Sequence, residues 1–404
     1  MKIQKLTVTH LLAMTAGIVI FISSWAIDTL FGGISAFRIF LAATLLLFIW
    51  DGFLKGHMRK PNPGEIGLIL FVIWAILSYF WSLKPELTAA VIEYVYVAAA
   101  AMFIVTSRMS ANVKLWRFFG YAYIFGCVVA SIIVINNAAD FAAQGERASV
   151  GELNANYIAY SLVTSIPVSL ALLTTKRHRL WFRSMLVGSL AMTMFATMIT
   201  GSRGALLAAL LCILSFFVVR ATRSFLKTML WVALSGIGLV IFWEYLPGEI
   251  RERLDVFAII FSGNASSIDL SGRADIWPVA IQYFEDNLLA GIGAGAFKGV
   301  NPFGIEGHNV FLTVATETGI IGLLIYALTV FYIFFKLIFQ SKTREIRNAG
   351  IAMLAVWTPI AMTGVWEGSV VAWLVFGWLL AASRHEADPL LATTKQRRRI
   401  RFAF

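Results

Sequence analysis

Cysteine is nearly absent from this sequence, with two in 404 residues. Both Cys127 and Cys212 stand inside apolar runs, which excludes a disulfide framework and leaves no spacing suited to a zinc site. They read as small apolar side chains of a helical bundle. Charge is scarce as well: 14% of residues are charged against 59% hydrophobic. A mean hydropathy of +0.79 lies far outside the range of soluble globular proteins. Ten-residue segments of polar–apolar alternation are missing, so a membrane β-barrel is excluded. A cleavable leader is not evident either. The first apolar run follows Lys2 and Lys5 but lacks a small-x-small cleavage site, and it reads as an uncleaved first helix. Tandem repeats and low-complexity tracts are lacking too.

What is present is a succession of apolar runs, each long enough to cross a hydrocarbon core as a helix whose backbone bonds are satisfied internally. The candidate spans are 8–24, 34–50, 66–82, 87–106, 117–137, 155–174, 184–201, 204–220, 228–244, 310–335, 348–365 and 368–383, twelve in all. This predicts an all-α polytopic membrane protein, a single transmembrane domain over 1–404, with both termini on one side. The basic residues say which side. Of the 33 Lys and Arg, 25 fall on the side of the termini, against five of the 22 acids, leaving that side at about +20 and the remainder at about −9. By the positive-inside rule the termini are cytoplasmic. The formal charge of +11 therefore reports topology and contact with anionic membrane lipids, and is no signature of nucleic-acid binding. The basic run from Gln396 to Arg401 has the same reading.

Two outer connections are longer than the rest. The first, about Ala138 to Ala155, holds Asp140, Glu146, Arg147, Glu152 and Asn154, with Asn156 just beyond. The second, 244–309 between the ninth and tenth spans, is by far the longest stretch outside the membrane, and a loop of that length points to function. Within it, Leu246–Leu254 reads as a turn and short helix and Ser262–Gly272 as a polar loop. Asp275–Asn287 reads as an amphipathic helix presenting Ile276, Trp277, Ala280, Ile281 and Phe284 on one face, with Asp275 as its cap. Gly291, Gly293, Gly295, Gly299, Gly304 and Gly307 make the rest a series of tight turns ending at His308. The GxGxG spacing is no dinucleotide site, because no strand precedes it and no βαβ unit surrounds it.

Three residues in these outer segments could carry chemistry. Arg203, in Thr200-Gly-Ser-Arg-Gly, sits between two apolar runs; it either snorkels to lipid headgroups or, flanked by small residues, grips a phosphate bidentately. Arg273 is either a solvated loop charge or a second guanidinium on the same aqueous cavity. Two arginines facing one cavity suit a diphosphate and could neutralise a leaving group without a metal, in keeping with the lack of a carboxylate cluster for Mg²⁺. His308 differs from His10, His57, His178 and His385, which all lie near the cytoplasmic face. It is either a structural cap or a neutral imidazole able to accept a proton from an attacking hydroxyl. Arg38, Glu93, Glu244, Glu317 and Glu367 fall within spans or at their ends and need partners there. Glu317, nine residues after His308 and so about 900° on around a helix, should face away from it, and it reads as a structural partner for another helix.

Taken together, Thr200-Gly-Ser-Arg203-Gly, Gly272-Arg273 with Trp277, Leu289-Ala-Gly-Ile-Gly-Ala-Gly-Ala-Phe297, His308-Asn309 and Glu317-Thr-Gly-Ile-Ile-Gly322 resemble the O-antigen ligase and polymerase superfamily over essentially the whole chain. The resemblance implies a membrane-embedded, GT-C-like glycosyltransferase of the bacterial inner membrane, inverting, metal-independent and without a cofactor, working at the periplasmic face. It implies an undecaprenyl-diphosphate-linked glycan as donor and a hydroxyl of lipid A–core oligosaccharide as acceptor. Carried over by position, Arg203 and Arg273 would hold the diphosphate and His308 would be the catalytic base or orient the acceptor. Arg147, Arg251 and Arg253 match the pattern too loosely for a role. A ligase fits the modest 138–155 loop best, with a repeat-unit polymerase as the alternative. A solute carrier is disfavoured because the spans show few interruptions and the charges gather at the outer face.

Overall fold

The structure is a computed structural model that describes residues 7–25, 30–31, 34–54, 60–144, 146–150, 153–175, 179–221 and 273–385. The helices are α1 (Val8–Ile22), α2 (Ala36–Leu54), α3 (Pro63–Leu77), α4 (Pro85–Val91), α5 (Val97–Met109), α6 (Val113–Ala143), α7 (Ala155–Thr175), α8 (Leu180–Ile199), α9 (Arg203–Ala221), α10 (Arg273–Asp286), α11 (Phe297–Val300), α12 (Val310–Phe339), α13 (Arg344–Thr363) and α14 (Val370–Ala382). A 3₁₀ turn over Ser78–Trp81 ends α3, and a π-helical turn over Ile92–Tyr96 joins α4 to α5. Before α2, Leu30–Phe31 pairs with Ile34–Ser35 as a two-residue antiparallel hairpin, which the hydropathy pattern does not foretell. Among the described residues seven helical segments are long and apolar enough to cross a membrane, and α1, the start of α9 and α14 are shorter apolar helices. This is an all-α polytopic membrane fold.

The predicted spans fall on these helices, apart from 228–244. That span, the expected short helix at 246–254, the Ser262–Gly272 loop, Arg251 and Arg253 lie outside the described residues. The largest difference within them is α6, which continues to Ala143 instead of stopping near 137. Asn136, Asn137 and Asp140 are polar but helix-compatible, so a span drawn from hydropathy ends before the helix does.

The surface is that of a bundle in lipid. Phe53, Phe80, Leu180, Leu328, Phe331 and Phe339 are exposed, while Trp116, Trp366, Trp373 and Trp378 are buried. Because lipid gives little drive for apolar side chains to leave it, helix contact rests on close packing of small residues and on interhelical hydrogen bonds. The pair α5–α14 shows both. Ala98 to Ala101 on α5 are buried, and the Thr106 hydroxyl lies 3.1 Å from the Leu374 carbonyl that it can reach across the interface.

Contacts between helix ends sort the structure into two faces. At one end the Thr9 hydroxyl donates to Asp51 (2.7 Å), the His385 ring meets the Ser110 carbonyl (2.9 Å) and Lys342 N–H donates to the Ser383 carbonyl (3.0 Å). Glu65 is the knot of this end. It closes a capping box with Asn62 at the start of α3, accepts from the Ser107 hydroxyl, and pairs with Arg108 at 3.1 Å with its side chain only 3% exposed. Glu65→Ala would leave the Arg108 guanidinium without its carboxylate and the Asn62 N–H without its acceptor, a loss of about 3 kcal/mol. Thermal unfolding in detergent should show a clear drop for Glu65→Ala and a smaller one for Glu65→Gln; equal stability of all three proteins would refute this reading.

At the other end α12 is not one continuous helix. Gly319 has φ 66° and ψ −172°, which breaks the hydrogen-bond ladder. The glycine loop after α10 fills the break. Ile292 and Gly293 N–H donate to the carbonyls of Thr316 (3.1 Å) and Glu317 (2.9 Å), while Ile320 N–H donates to the Leu288 carbonyl (2.8 Å). Trp74 donates from Nε1 to the Thr318 carbonyl (2.8 Å), and Trp81 to that of Ala290 (3.2 Å). The backbone groups freed by the break are thus met by protein, the condition for irregular backbone at membrane depth. The glycine run is a plug for a broken helix.

Candidate active site

The site is built at this same end, beginning with the α8–α9 hairpin. Ile199 ends α8, Gly201 turns the chain at φ 62°, and the Ser202 carbonyl accepts from Leu206 N–H (3.0 Å) to open α9 with Arg203 as its first residue. A guanidinium placed at a helix N-terminus adds its charge to that of unpaired backbone N–H groups, a combination that favours anions. Gly204 follows because there is no room for more: a Cβ there would lie 2.4 Å from Thr363 Oγ1 and 3.0 Å from the Tyr160 hydroxyl.

Thr363, the last residue of α13, links this hairpin to the second arginine. Arg273 begins α10 and donates from Nη2 to the Thr363 carbonyl at 2.9 Å. Tyr160 on α7 lies with its hydroxyl 3.2 Å from Thr363 Oγ1, and the charges of both Arg273 and Arg147 act on it. The hairpin of Arg203 and the start of the Arg273 helix are therefore joined through one threonine and one tyrosine. Read as a helix, α10 begins at Arg273, two residues before the expected Asp275 cap, so Pro278 lies one turn further in. Its buried face is Ile276 and Ala280, with Trp277 and Tyr283 partly buried beside them, packed on Ile292, Ala296 and Phe297. Ile281, expected on that face, is 45% exposed.

His308 lies at the far end of the same loop, held on both sides. Trp277 donates from Nε1 to the Gly307 carbonyl at 2.9 Å, and the Asn309 side chain accepts from Leu312 N–H at 3.1 Å to cap α12. Between these anchors His308 adopts φ 49°, and among the described residues it is the one non-glycine with a positive φ. A side chain in that region is strained, and such strain persists where the surroundings over-determine it, often at functional sites. Burial is the first cause that lowers the imidazole below its usual 6.5; the Arg273 charge acts in the same direction, Glu306 opposes it, and Lys298 adds to the lowering. The ring is neutral at pH 7 and able to accept a proton.

Three expected site residues, Arg203, Arg273 and His308, thus come to one face of the bundle. Arg273 stands between the others, bonded to the threonine against the Arg203 hairpin and within electrostatic reach of His308. Glu317 meets a loop instead of another helix. His308 is not helical, which removes the premise of the rotation argument, and Glu317 Oε2 accepts from Gly295 N–H at 2.7 Å. Arg147 was left without a role by its sequence context, yet its Nε donates to the Thr200 carbonyl at 2.9 Å and its Nη2 to Asn156 Oδ1 at 2.8 Å. Among the described residues no group of three or more His, Cys, Asp or Glu is arranged to hold a metal ion.

A helical membrane protein with two arginines and a neutral histidine gathered at one end of its bundle has the parts of a site for a lipid-linked anionic substrate. The comparison with known families narrows this: residues 187–327 match the family model described as O-Antigen ligase, a segment that runs from α8 through Arg203, Arg273 and His308 to the break in α12. That match makes this segment, which carries all three expected site residues, similar to the O-antigen ligase family. No curated protein matches the chain.

Proposed function

We propose that this protein is an O-antigen ligase, transferring a glycan from undecaprenyl diphosphate to a hydroxyl of lipid A–core oligosaccharide at the periplasmic face of the inner membrane. The observation that carries the reading is the position of Arg273, bonded to Thr363 against the Arg203 hairpin and close enough to His308 for its charge to act on the ring.

In this mechanism Arg203 and Arg273 hold the donor diphosphate. The acceptor hydroxyl oxygen attacks the anomeric carbon from the face opposite the leaving group, so the configuration inverts. His308 takes the hydroxyl proton as the new C–O bond forms. The bond from the anomeric carbon to the diphosphate breaks, and the diphosphate leaves with the electron pair. The two guanidiniums balance its growing charge, and they keep their own charge at any working pH. No metal ion is assigned a part.

A strain lacking the protein tests the reading. Polymerised glycan should accumulate on undecaprenyl diphosphate, and the lipopolysaccharide should lack it. Single repeat units on the lipid would instead identify a polymerase, and unchanged glycans with lost solute uptake a carrier. Complementation with Arg203→Ala or Arg273→Ala should restore the protein to the membrane but not transfer, with losses of about a hundredfold or more. Full transfer by either variant would remove that arginine from the site.

A further inference from the structure

The Arg147 contacts do more than fill a polar loop. Asn156, the second residue of α7, accepts through Oδ1 from Arg147 Nη2 at 2.8 Å and from the Ser202 hydroxyl at 2.9 Å. Arg147 Nε meanwhile reaches the Thr200 carbonyl at 2.9 Å. Thr200 and Ser202 flank the left-handed Gly201 and immediately precede Arg203, and both are buried. The hairpin also bonds itself: Gly201 N–H donates to the Met198 carbonyl (2.9 Å), the Thr200 hydroxyl to the Thr197 carbonyl (2.7 Å), and Ser202 N–H lies at 3.3 Å from Thr200 Oγ1. Among these contacts, those of Arg147 and Asn156 are the ones that tie the turn to the α6–α7 connection.

We infer that Arg147 is a positioning residue: with Asn156 it clamps Thr200–Ser202 from the α6–α7 connection and so sets where Arg203 stands relative to Arg273. The fixed fork of a guanidinium suits this task, because one side chain spans a carbonyl on the hairpin and an amide on α7 at once. The opposite side of the hairpin is already set, since Gly204 abuts Thr363 and Tyr160. With Arg147 on one flank and Thr363 on the other, the turn is held from two sides. A charge-assisted hydrogen bond to each of two neutral oxygens is strong enough for its loss to be read as a change in binding.

This inference rests on the proposed function for its kinetic consequence but not for its structural one, so two measurements separate them. The first is hydrogen–deuterium exchange of the full-length protein in nanodiscs. Arg147→Ala and Asn156→Ala should each speed exchange by about tenfold in peptides covering 197–206 while leaving peptides from α5 and α14 unchanged. Asn156→Asp, which keeps the shared oxygen, should exchange like the unaltered protein. Unchanged exchange at the hairpin in Arg147→Ala, or acceleration in Asn156→Asp, overturns the clamp. The second is transfer from an undecaprenyl-diphosphate-linked glycan. Arg147→Ala should raise KM for the donor by about tenfold with kcat largely kept, and Arg147→Lys, which can reach one oxygen but not both, should fall between. A collapse of kcat at unchanged KM would make Arg147 part of the chemistry and overturn the positioning role. If the unaltered protein transfers no glycan, the proposed function fails, and the exchange result still decides the clamp.

Discussion

Replacing His308 with alanine should abolish glycan transfer, a fall of about a hundred- to ten-thousandfold, while the protein stays folded in the membrane. The expectation follows from what the ring does and from what it does not do. The ring is half-buried, and its left-handed backbone is held by Trp277 on one side and the Asn309 cap on the other, neither of which needs the imidazole. The pH dependence supplies a second, signed readout. A base must be unprotonated to act, and burial with the Arg273 charge holds His308 below the ordinary 6.5. The midpoint of the acid limb of transfer should therefore lie below 6.5. Glu306 pulls the other way, so Glu306→Gln should carry the acid limb further down. An acid limb at or above 6.5, or transfer undiminished in His308→Ala, would take the histidine out of the reaction.

The second large effect is expected at a residue that touches no substrate. Gly319→Ala should destabilise the protein and eliminate transfer. A Cβ at Gly319 would stand 2.3 Å from the Leu289 carbonyl oxygen and 2.5 Å from Ala290 N, and φ 66° with ψ −172° is ground for glycine alone. Those neighbours are backbone atoms of a loop pinned by Trp81, Leu83, Ser78 and α12 itself, so they cannot step aside. Gly291, at φ 68° with the Glu317 carbonyl 2.5 Å from a would-be Cβ, presents the same face from the other strand of the contact. Gly188→Ala is the control, since nothing lies within 4 Å of its would-be Cβ. Heating in detergent followed by size-exclusion recovery measures this. Equal recovery of Gly319→Ala and the unaltered protein would mean that the loop does not plug the break.

The sequence makes the helices legible because lipid leaves a chain few options, and α2, α7, α8 and α12 begin within about five residues of where hydropathy puts them. Its candidate site is legible for a related reason. Once the side of the termini has taken its share of arginine and lysine, the few cations left over stand out, and Arg203 and Arg273 are among them. Arg147 is among them too, but its partner Thr200 lies 53 positions away, and no local pattern couples the two. The break in α12 was hidden for the opposite reason. Glu-Thr-Gly-Ile-Ile-Gly keeps a helical look, and only the docking of a loop from before the helix shows which glycine leaves the helix. Glu317 was misread through the same gap, because a helix drawn back to His308 turns its carboxylate the wrong way.

The plugged break also makes one helix depend on a distant stretch of chain for its completion. The N–H groups of Ile320 and Ile321 find their acceptors on Leu288 and Leu289, about thirty residues upstream and on the far side of α11 and His308. With the helix broken at Gly319, those two donors are met only because the loop is docked there. The loop that leads to His308 is consequently held by the same bonds that complete the helix.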